Sequence, residues 1–241
     1  MMRLDRLLAK LGLGTRSEVK ALIRSARITV NGLVCTDPGQ HIREDDTLRF
    51  NGQPLDIRTQ HHLMMNKPKG LLTAARDSRQ ETVMSLLSPI YISCDCMPVG
   101  RLDKDTEGLL LFTTDGKAAH HLLSPKSMVK KIYEAKVSGK LDSDTVKRFE
   151  EGISLSDFQT LPAKLSIQES REDASLALVT LYEGKHHQVK RMFGACGHEV
   201  LHLRRMQFGS LKLDALLSPG QYRELSDIEW SSLLKESSIE A

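Results

Sequence analysis

Aromatic residues and cysteines are scarce in this chain, and long apolar runs are absent. Aromatic side chains make up 5% of the 241 residues, which leaves few rings for a sugar-binding cleft. The cysteines do not form two CxxC pairs, so we expect free thiols rather than a zinc ribbon. No stretch of about 18 apolar residues occurs, which excludes a membrane-spanning helix. The opening "MMRLDRLLAK" lacks an apolar signal segment, so we expect a cytoplasmic protein with no membrane partner.

The net charge is small but unevenly distributed. Lys and Arg number 34 against 31 Asp and Glu, which gives +3. Residues 1–60 carry ten basic and seven acidic side chains (10 − 7 = +3), and the remainder carries 24 of each. The excess would suit an anionic partner, although the charge alone does not distinguish such a surface from an ordinary solvated helix face.

The first 55 or so residues predict a small unit with helices first and strands after them. Leucines at helical spacing in "RLDRLLAKLGLG" indicate one helix. A second helix follows, for which Ser17 is a candidate N-cap. The segment "RITVNGLVC" reads as two short strands joined by Asn31-Gly32, the signal of a type I′ hairpin.

Basic residues occur along both predicted helices, and the whole stretch resembles the small RNA-binding domain first known from ribosomal protein S-four. In that family the second helix and its flanks dock on structured RNA through phosphate contacts, which give affinity with little sequence information. The resemblance therefore implies that RNA is contacted by Arg3, Arg16, Lys20 and Arg24.

Composition and pattern divide the remainder into a linker, a larger domain and a tail. The polar segment 51–62 predicts the linker, and we expect an RNA-binding domain over 1–58 and a second domain over 59–235. Short β-like runs with helices near 116–123 and 186–196 predict an α+β fold built on a mainly antiparallel mixed sheet. Residues 236–241 are expected to be a disordered tail.

Carboxylates crowd beside an apolar run in "GRLDKDTEGLLLFTTDG" at 100–116. The pattern matches the start of an EF-hand loop, but Thr114 stands where the bidentate Glu should be, and the preceding segment is not helical. A carboxylate pair for glycoside hydrolysis usually comes from separate segments. A charged turn before a buried strand is the plainest interpretation of the acids taken alone.

The flanking residues change that interpretation, because four ordered motifs resemble those of pseudouridine synthases. "GRLD" followed by "GLLLFTTDG" is similar to the family's signature, whose essential aspartate would be Asp103. "NKPKG" at 66–70 resembles the first motif, and "KKIYEAKV" at 130–137 resembles the segment with its tyrosine, here Tyr133. "EGKHHQVKRMF" at 183–193 resembles the third motif, whose basic residue maps onto Lys190. The chain as a whole resembles the Rsu branch of ribosomal RNA enzymes.

The resemblance implies the roles of the site residues. Asp103 would be the catalytic group, Lys190 would pair with it, and Tyr133 would stack on a flipped-out uridine. Asp103 could attack C1′ or take the 2′ proton, and the sequence does not choose between these routes. The plain alternatives are a surface lysine at Lys190 and a core tyrosine at Tyr133. Residues expected to hold RNA or help flipping are Arg101, Asn66, Lys67, His187, Gln188 and Arg191, with Arg204 and Arg205 lining the same cleft.

The implied function is isomerisation of a uridine in small-subunit (16S) ribosomal RNA, with no cofactor and no metal. The partner would be ribosomal RNA or a ribosome assembly particle, and we expect a monomer. Two alternatives stay open. One is the same chemistry on large-subunit (23S) RNA, and the other is a ribosome-binding RNA chaperone without activity.

Overall fold

A computed structural model describes residues 1–237 of the chain, which divide into two compact units. The first unit comprises Met1–His61 together with Leu87–Met97, and the second comprises His62–Leu86 and the chain from Pro98 onward. Within residues 1–237, no helix is long and apolar enough to cross a membrane.

The first unit packs helices against a small antiparallel sheet. Its elements are β1 (Met2–Arg3), α1 (Leu4–Lys10), α2 (Arg16–Arg24), β2 (Ile28–Val30), β3 (Leu33–Cys35), β4 (His41–Ile42), β5 (Leu48–Phe50), β6 (Gln53–Leu55) and α3 (Pro89–Ser93). The strand order β3-β2-β5-β6 forms one sheet, and β1 pairs separately with β4. Leucines of α1 and the apolar face of α2 form a common core with β2 and β5.

Local sequence signals explain most of this unit, with two corrections. Asn31 and Gly32 both have positive φ (50° and 81°), as the hairpin between β2 and β3 requires. The cap of α2 is Thr15 rather than Ser17, because Thr15 and Glu18 satisfy each other's backbone N–H groups in a capping box. The predicted linker is also partly structured, since β6 pairs with β5.

The second unit is built on one large sheet flanked by helices. Its elements are β7 (His62–Lys67), β8 (Met97–Val99, which begins at the unit boundary), β9 (Glu107–Thr113), α4 (Gly116–Leu123), β10 (Lys131–Ser138), α5 (Ser143–Glu151), β11 (Lys164–Ser170), β12 (Ala174–Leu181), α6 (Gln188–Ala195), β13 (Val200–Phe208), β14 (Leu211–Lys212), β15 (Tyr222–Glu224) and α7 (Asp227–Ser237). The main strand order is β11-β12-β10-β13-β9-β7-β15.

The predicted α+β fold with a mainly antiparallel mixed sheet is confirmed. Only β9 and β13 pair in parallel among the strands of residues 1–237 whose registers are resolved. The pairing demands a glycine at Gly108, where a Cβ atom would lie 2.3 Å from the backbone oxygen of Arg205 and φ is +98°. Leu109 and Leu111 of β9 are fully buried against α4 and α7.

The unit boundary differs from the simple division that the sequence suggested. Leu87–Met97 belongs with the first unit, because Ile90 packs on its core and the Cys94 thiol lies 3.4 Å from the carbonyl oxygen of Lys10. The proposed tail is also shorter at its start, since α7 runs to Ser237; residues 238–241 lie outside the described part of the chain.

Candidate active site

A buried lysine holds the loop that carries Asp103 through hydrogen bonds. The Lys67 side chain at the end of β7 is fully buried, and its ammonium donates hydrogen bonds to carbonyl oxygens of Pro68, Asp103, Lys104 and Thr106 at 3.0–3.3 Å. Burial lowers its pKa to about 8, and the nearby carboxylates oppose that fall. The ammonium therefore holds the carbonyl groups of Asp103, Lys104 and Thr106 in place.

Backbone contacts hold the same loop on both sides of Asp103. The Thr73 hydroxyl donates to the carbonyl oxygen of Leu102 at 2.8 Å, and the Gly70 N–H donates to that of Lys104 at 2.7 Å. The Thr106 N–H closes a tight turn onto the carbonyl oxygen of Asp103 at 3.1 Å. Beyond the turn, the buried strand β9 fixes the direction of the chain, so Asp103 stands on a rigid base.

Two basic side chains approach the Asp103 carboxylate, which is 26% exposed. His187 Nε2 lies 3.5 Å from one oxygen, and Lys190 Nζ lies 3.6 Å from the other. Lys190 makes its hydrogen bond to Asp105 at 2.5 Å, and this bond holds the pKa of Asp105 below its usual range. Lys190 therefore lies between two carboxylates, and the nearer one is the neighbour that the sequence assigned only to the loop.

A cavity of about 680 Å³ opens over Asp103, which lies in its wall. Tyr133 on β10 is 9% exposed and also lines this cavity, as do Arg101 and His187. Arg101 is exposed and makes no ion pair with any residue of the described chain. The structure thus brings Asp103, Tyr133, Lys190, His187 and Arg101 to one place.

Other residues expected to touch RNA are occupied inside the protein. Asn66 is 1% exposed and donates to the carbonyl oxygen of Leu217, and Lys67 is buried as described. Gln188 is 4% exposed and bridges Glu183 and the Lys185 N–H. The polar groups of these three residues are buried and used within the protein, which argues against the predicted direct contact with RNA.

The remaining basic residues expected to line an RNA cleft lie in different surroundings. Arg191 forms an ion pair with Asp157 and lies 5.2 Å from the centre of the Phe158 ring, so its charge is already compensated. Arg204 and Arg205 do not share one cleft, since Arg205 lines the cavity of Asp103 and Arg204 lines another. Within residues 1–237, no group of three His, Cys, Asp or Glu side chains could hold a metal ion.

Lys131 is the cavity residue that sequence reasoning missed. It is 8% exposed and lies two positions before Tyr133 on β10. Because alternate residues of a strand share a face, Tyr133 in the wall of a site implies Lys131 in the same wall. That alternation was visible in "KKIYEAKV".

Comparison with known proteins identifies the family of the chain. Residues 61–195 match the family model described as RNA pseudouridylate synthase, and residues 2–48 match that of the S4 domain. A Bacillus subtilis protein named uncharacterized RNA pseudouridine synthase YtzG is 43% identical, over 95% of this chain and 96% of that protein. A crystal structure of a pseudouridylate synthase aligns with a TM-score of 0.68 at 32% identity, covering 97% of this chain and all of that one.

Relatives named for both ribosomal subunits are similar to the chain. The ribosomal small subunit pseudouridine synthase A of Vibrio cholerae is 36% identical, over 97% of this chain and all of that protein. The ribosomal large subunit pseudouridine synthase B of Bacillus subtilis is 35% identical, over 95% and 94%. Both family models match the chain, and it belongs to the RNA pseudouridine synthases that carry an S4 domain.

Proposed function

We propose that this enzyme isomerises one uridine of small-subunit (16S) ribosomal RNA to pseudouridine, with Asp103 as its catalytic group. The observation that carries the assignment of Asp103 is its carboxylate in the wall of the cavity, on a loop held by Lys67 and beside Lys190 and His187. The similarity to the Vibrio cholerae small-subunit enzyme, over 97% of this chain and all of that protein, supports the choice of subunit. We further propose that it acts as a monomer in the cytoplasm, on ribosomal RNA or an assembly particle.

The proposed reaction needs an ionised carboxylate and a base removed from its stack. Lys190 Nζ and His187 Nε2 lie within 4 Å of the Asp103 carboxylate oxygens. Asp103 then attacks C1′ or takes the 2′ proton, and both routes break the N1–C1′ bond. Flipping costs a few kcal/mol, and stacking on Tyr133 returns about 1–3 kcal/mol of it. Arg101, exposed at the mouth, is placed to hold a phosphate or fill the vacated position.

The first unit is proposed as the anchor for the RNA. Arg16, Lys20 and Arg24 recur every four residues along α2 and are all exposed. Arg3 is paired with Asp5 at 3.0 Å but stays 53% exposed, so a phosphate could replace or share that partner. Contacts of this kind position an RNA without reading its sequence.

Substituting the two neighbouring carboxylates separately tests the role of Asp103. Asp103→Asn keeps the size of the side chain and removes its anion, so we expect RNA affinity close to that of the wild type and no pseudouridine. Asp105→Asn is the matched control, because it removes the closer partner of Lys190 and should slow turnover only about ten-fold, as for one charged hydrogen bond. Near-normal turnover by Asp103→Asn would show that another group is catalytic.

Mapping pseudouridine tests the substrate. The wild-type protein is incubated with 16S RNA, 23S RNA and assembly particles of each subunit, and new pseudouridines are located by chemical sequencing. We expect one new site in 16S RNA or its particle. A product in 23S RNA alone would contradict the assignment to the small subunit. It would favour the large-subunit alternative, which the similarity to the Bacillus subtilis relative keeps open. Binding to particles without any product would favour a ribosome-binding chaperone.

A further inference from the structure

Two buried cations line the same cavity as Asp103 and Tyr133. Lys131 is 8% exposed and Arg205 is 2% exposed, and both lie in the cavity wall. Their position follows from strand register, since Tyr133 of β10 pairs with Arg205 of β13 and Lys131 pairs with Phe208. Directly paired residues of antiparallel strands share a face. The Phe208 ring packs under both charges, with its centre 5.3 Å from Lys131 Nζ and 5.2 Å from Arg205 Cζ.

The polar groups of these two cations are only partly satisfied by the protein. Arg205 Nε donates to the carbonyl oxygen of Leu109 at 2.7 Å, but its buried Nη2 has no hydrogen-bond partner among the described residues. Lys131 Nζ donates to the carbonyl oxygen of Val129 at 2.8 Å. No ion pair between either cation and a carboxylate is formed within residues 1–237. Burying charged donors in this way is costly unless a ligand completes them.

The contrast with Lys67 separates a binding role from a structural one. Lys67 is equally buried, but its ammonium has four carbonyl acceptors and it does not line the cavity. The hydrogen-bonding capacity of Lys67, which has a structural role, is thus used up by carbonyl groups of the protein. Lys131 and Arg205 have N–H groups left free to donate, and they lie in the wall of an open cavity. A substrate group with acceptor oxygens can accept hydrogen bonds from them there.

We propose that Lys131 and Arg205 form a subsite for the uracil ring of the flipped nucleotide, where they bind its carbonyl oxygens and stabilise the anion formed when the base leaves C1′. The inference rests on the pseudouridine synthase activity and adds to it the residues that hold the leaving base.

The charge balance of the reaction explains the need for such a subsite. When the N1–C1′ bond breaks, its electron pair stays on the base and is shared between N1 and the ring oxygens. The base then forms the C5–C1′ bond, C5 loses its proton and N1 gains one, so no atom is added overall. Attack by Asp103 forms and later breaks a carboxylate–C1′ bond, whereas the other route borrows and returns the 2′ proton. Both routes release the same base anion, and fixed cations beside it lower the barrier.

Leaving-group dependence tests the proposal. Single-turnover loss of the target nucleoside is measured for RNA with uridine and for RNA with 5-fluorouridine at the modified position. Fluorine withdraws electrons and makes the base a better leaving group, which therefore needs less help from a cation. Lys131→Met should slow uridine cleavage about 100-fold, slow 5-fluorouridine cleavage less, and so raise the ratio of the two rates. RNA affinity should stay near that of the wild type.

Matched variants distinguish this role from a structural one. Lys136→Met removes an exposed lysine from the same strand, outside the cavity, and should change neither the rates nor their ratio. Lys131→Arg retains a cation and should keep the wild-type ratio. The ratio is taken within one preparation, so partial unfolding does not alter it, and Arg205→Lys provides a second variant if Lys131→Met fails to fold.

Equal slowing of both substrates by Lys131→Met, or no slowing, would overturn the proposal. Any RNA on which the wild type forms pseudouridine serves for the measurement, so an error in the assigned subunit leaves the test intact. A wild-type protein that modifies no ribosomal RNA would instead refute the proposed function, and the subsite with it.

Discussion

At the scale of single residues, the protein uses buried lysines in two ways. Lys67 donates to four carbonyl oxygens and holds the Asp103 loop, whereas Lys131 has one carbonyl partner and faces the cavity. Desolvation is the main reason that the pKa of each is lowered to about 8. The free-energy cost of burying an ammonium group is therefore offset by backbone carbonyls at Lys67, whereas at Lys131 it is left for a ligand to offset.

Removing the ammonium of Lys67 should loosen the catalytic loop. In Lys67→Met the carbonyl groups of the loop lose a common donor, so we expect the free energy of unfolding to fall by about 1–3 kcal/mol. A displaced Asp103 should slow turnover about 100-fold. Amide hydrogen exchange should quicken at Thr106 and Gly70, whose N–H groups close the loop. The control is Lys69→Met, because Lys69 is exposed and lies in the same motif; this variant should leave stability and amide exchange unchanged. Unchanged amide exchange in Lys67→Met would contradict the role of Lys67 in holding the loop.

Alkaline pH should remove both lysine charges. Because the pKa of each lysine lies near 8, kcat/KM should fall as pH rises above about 8, towards a limiting slope of about −2 in log kcat/KM against pH. Arg205 lowers the pKa of Lys131 further and Glu183 raises it, while Asp105, Asp103 and Glu107 raise that of Lys67. Lys131→Arg should reduce the slope to about −1, since arginine stays charged. An identical profile in that variant would show that Lys131 does not titrate in this range.

These residues show how far sequence reasoning reaches at this scale. Asp103, Tyr133 and Lys190 were found because motifs preserve their order, and the structure brings them together. The functions of Lys67 and Gln188 were not foreseen, because burial depends on what the rest of the chain places over a side chain. Lys67 meets carbonyls 36–39 positions away, and no local pattern encodes a contact of that range.

At the scale of elements, local signals predicted hairpins and helices, and long-range packing decided the exceptions. Asn31-Gly32 specifies its turn without reference to the rest of the fold. By contrast, the assignment of Leu87–Met97 to the first unit depends on Ile90 reaching that unit's core. The parallel pairing of β9 with β13 likewise depends on Gly108, because a Cβ atom there would meet the backbone of Arg205 once β13 lies beside it.

Helix α7 is held at its start by an ion-pair cluster that should respond to acid. Glu229 accepts from Arg223 and from the Ser226 N–H, and the Arg223 guanidinium is the main reason that its pKa falls to about 2 from 4.5. A carboxylate with a depressed pKa stabilises the fold above the unfolded value and loses that effect as pH falls through the folded one. The contribution is therefore fully present above about pH 4.5 and disappears towards pH 2.

Glu229→Gln should accordingly destabilise the second unit at neutral pH but not in strong acid. The expected loss at pH 7 is about 1–2 kcal/mol, after allowing for partial exposure. Trp230 is the only tryptophan and is buried in α7, so its fluorescence follows unfolding of this unit. Glu172→Gln removes an exposed ion pair with Lys140 and should change little. If the difference in free energy of unfolding between Glu229→Gln and the wild type stayed constant from pH 7 to pH 2, the stabilising role of the ionised Glu229 would be contradicted.

At the scale of the whole molecule, charge and chemistry belong to different units. The net excess of +3 lies within residues 1–60, whereas Asp103, Tyr133, Lys131 and Lys190 all lie in the second unit. Affinity from phosphate contacts and catalysis in the cavity make different demands, because the first uses exposed cations and the second uses buried ones. We propose that separate sets of basic residues meet these demands, so the two functions should be separable by mutation.

Neutralising α2 should reduce RNA affinity and its salt dependence without affecting the chemical step. The triple variant Arg16→Gln, Lys20→Gln and Arg24→Gln retains the fold signals of the helix and removes three exposed charges. Each lost phosphate contact should lower the slope of log affinity against log salt by about 0.7–0.9, so a change of about 2–3 is expected. Single-turnover rates at saturating protein should match the wild type, because Asp103 and its cavity are untouched.

The matched control removes the same charge from the second unit. Lys147→Gln, Lys212→Gln and Lys235→Gln together neutralise three exposed lysines there, so any general effect of net charge appears equally in both triple variants. If the α2 surface is the anchor, only its variant changes the salt slope by that amount. Equal changes in both would mean that phosphate contacts are spread over the protein, and a slowed chemical step in the α2 variant would mean that the first unit also helps to place the uridine.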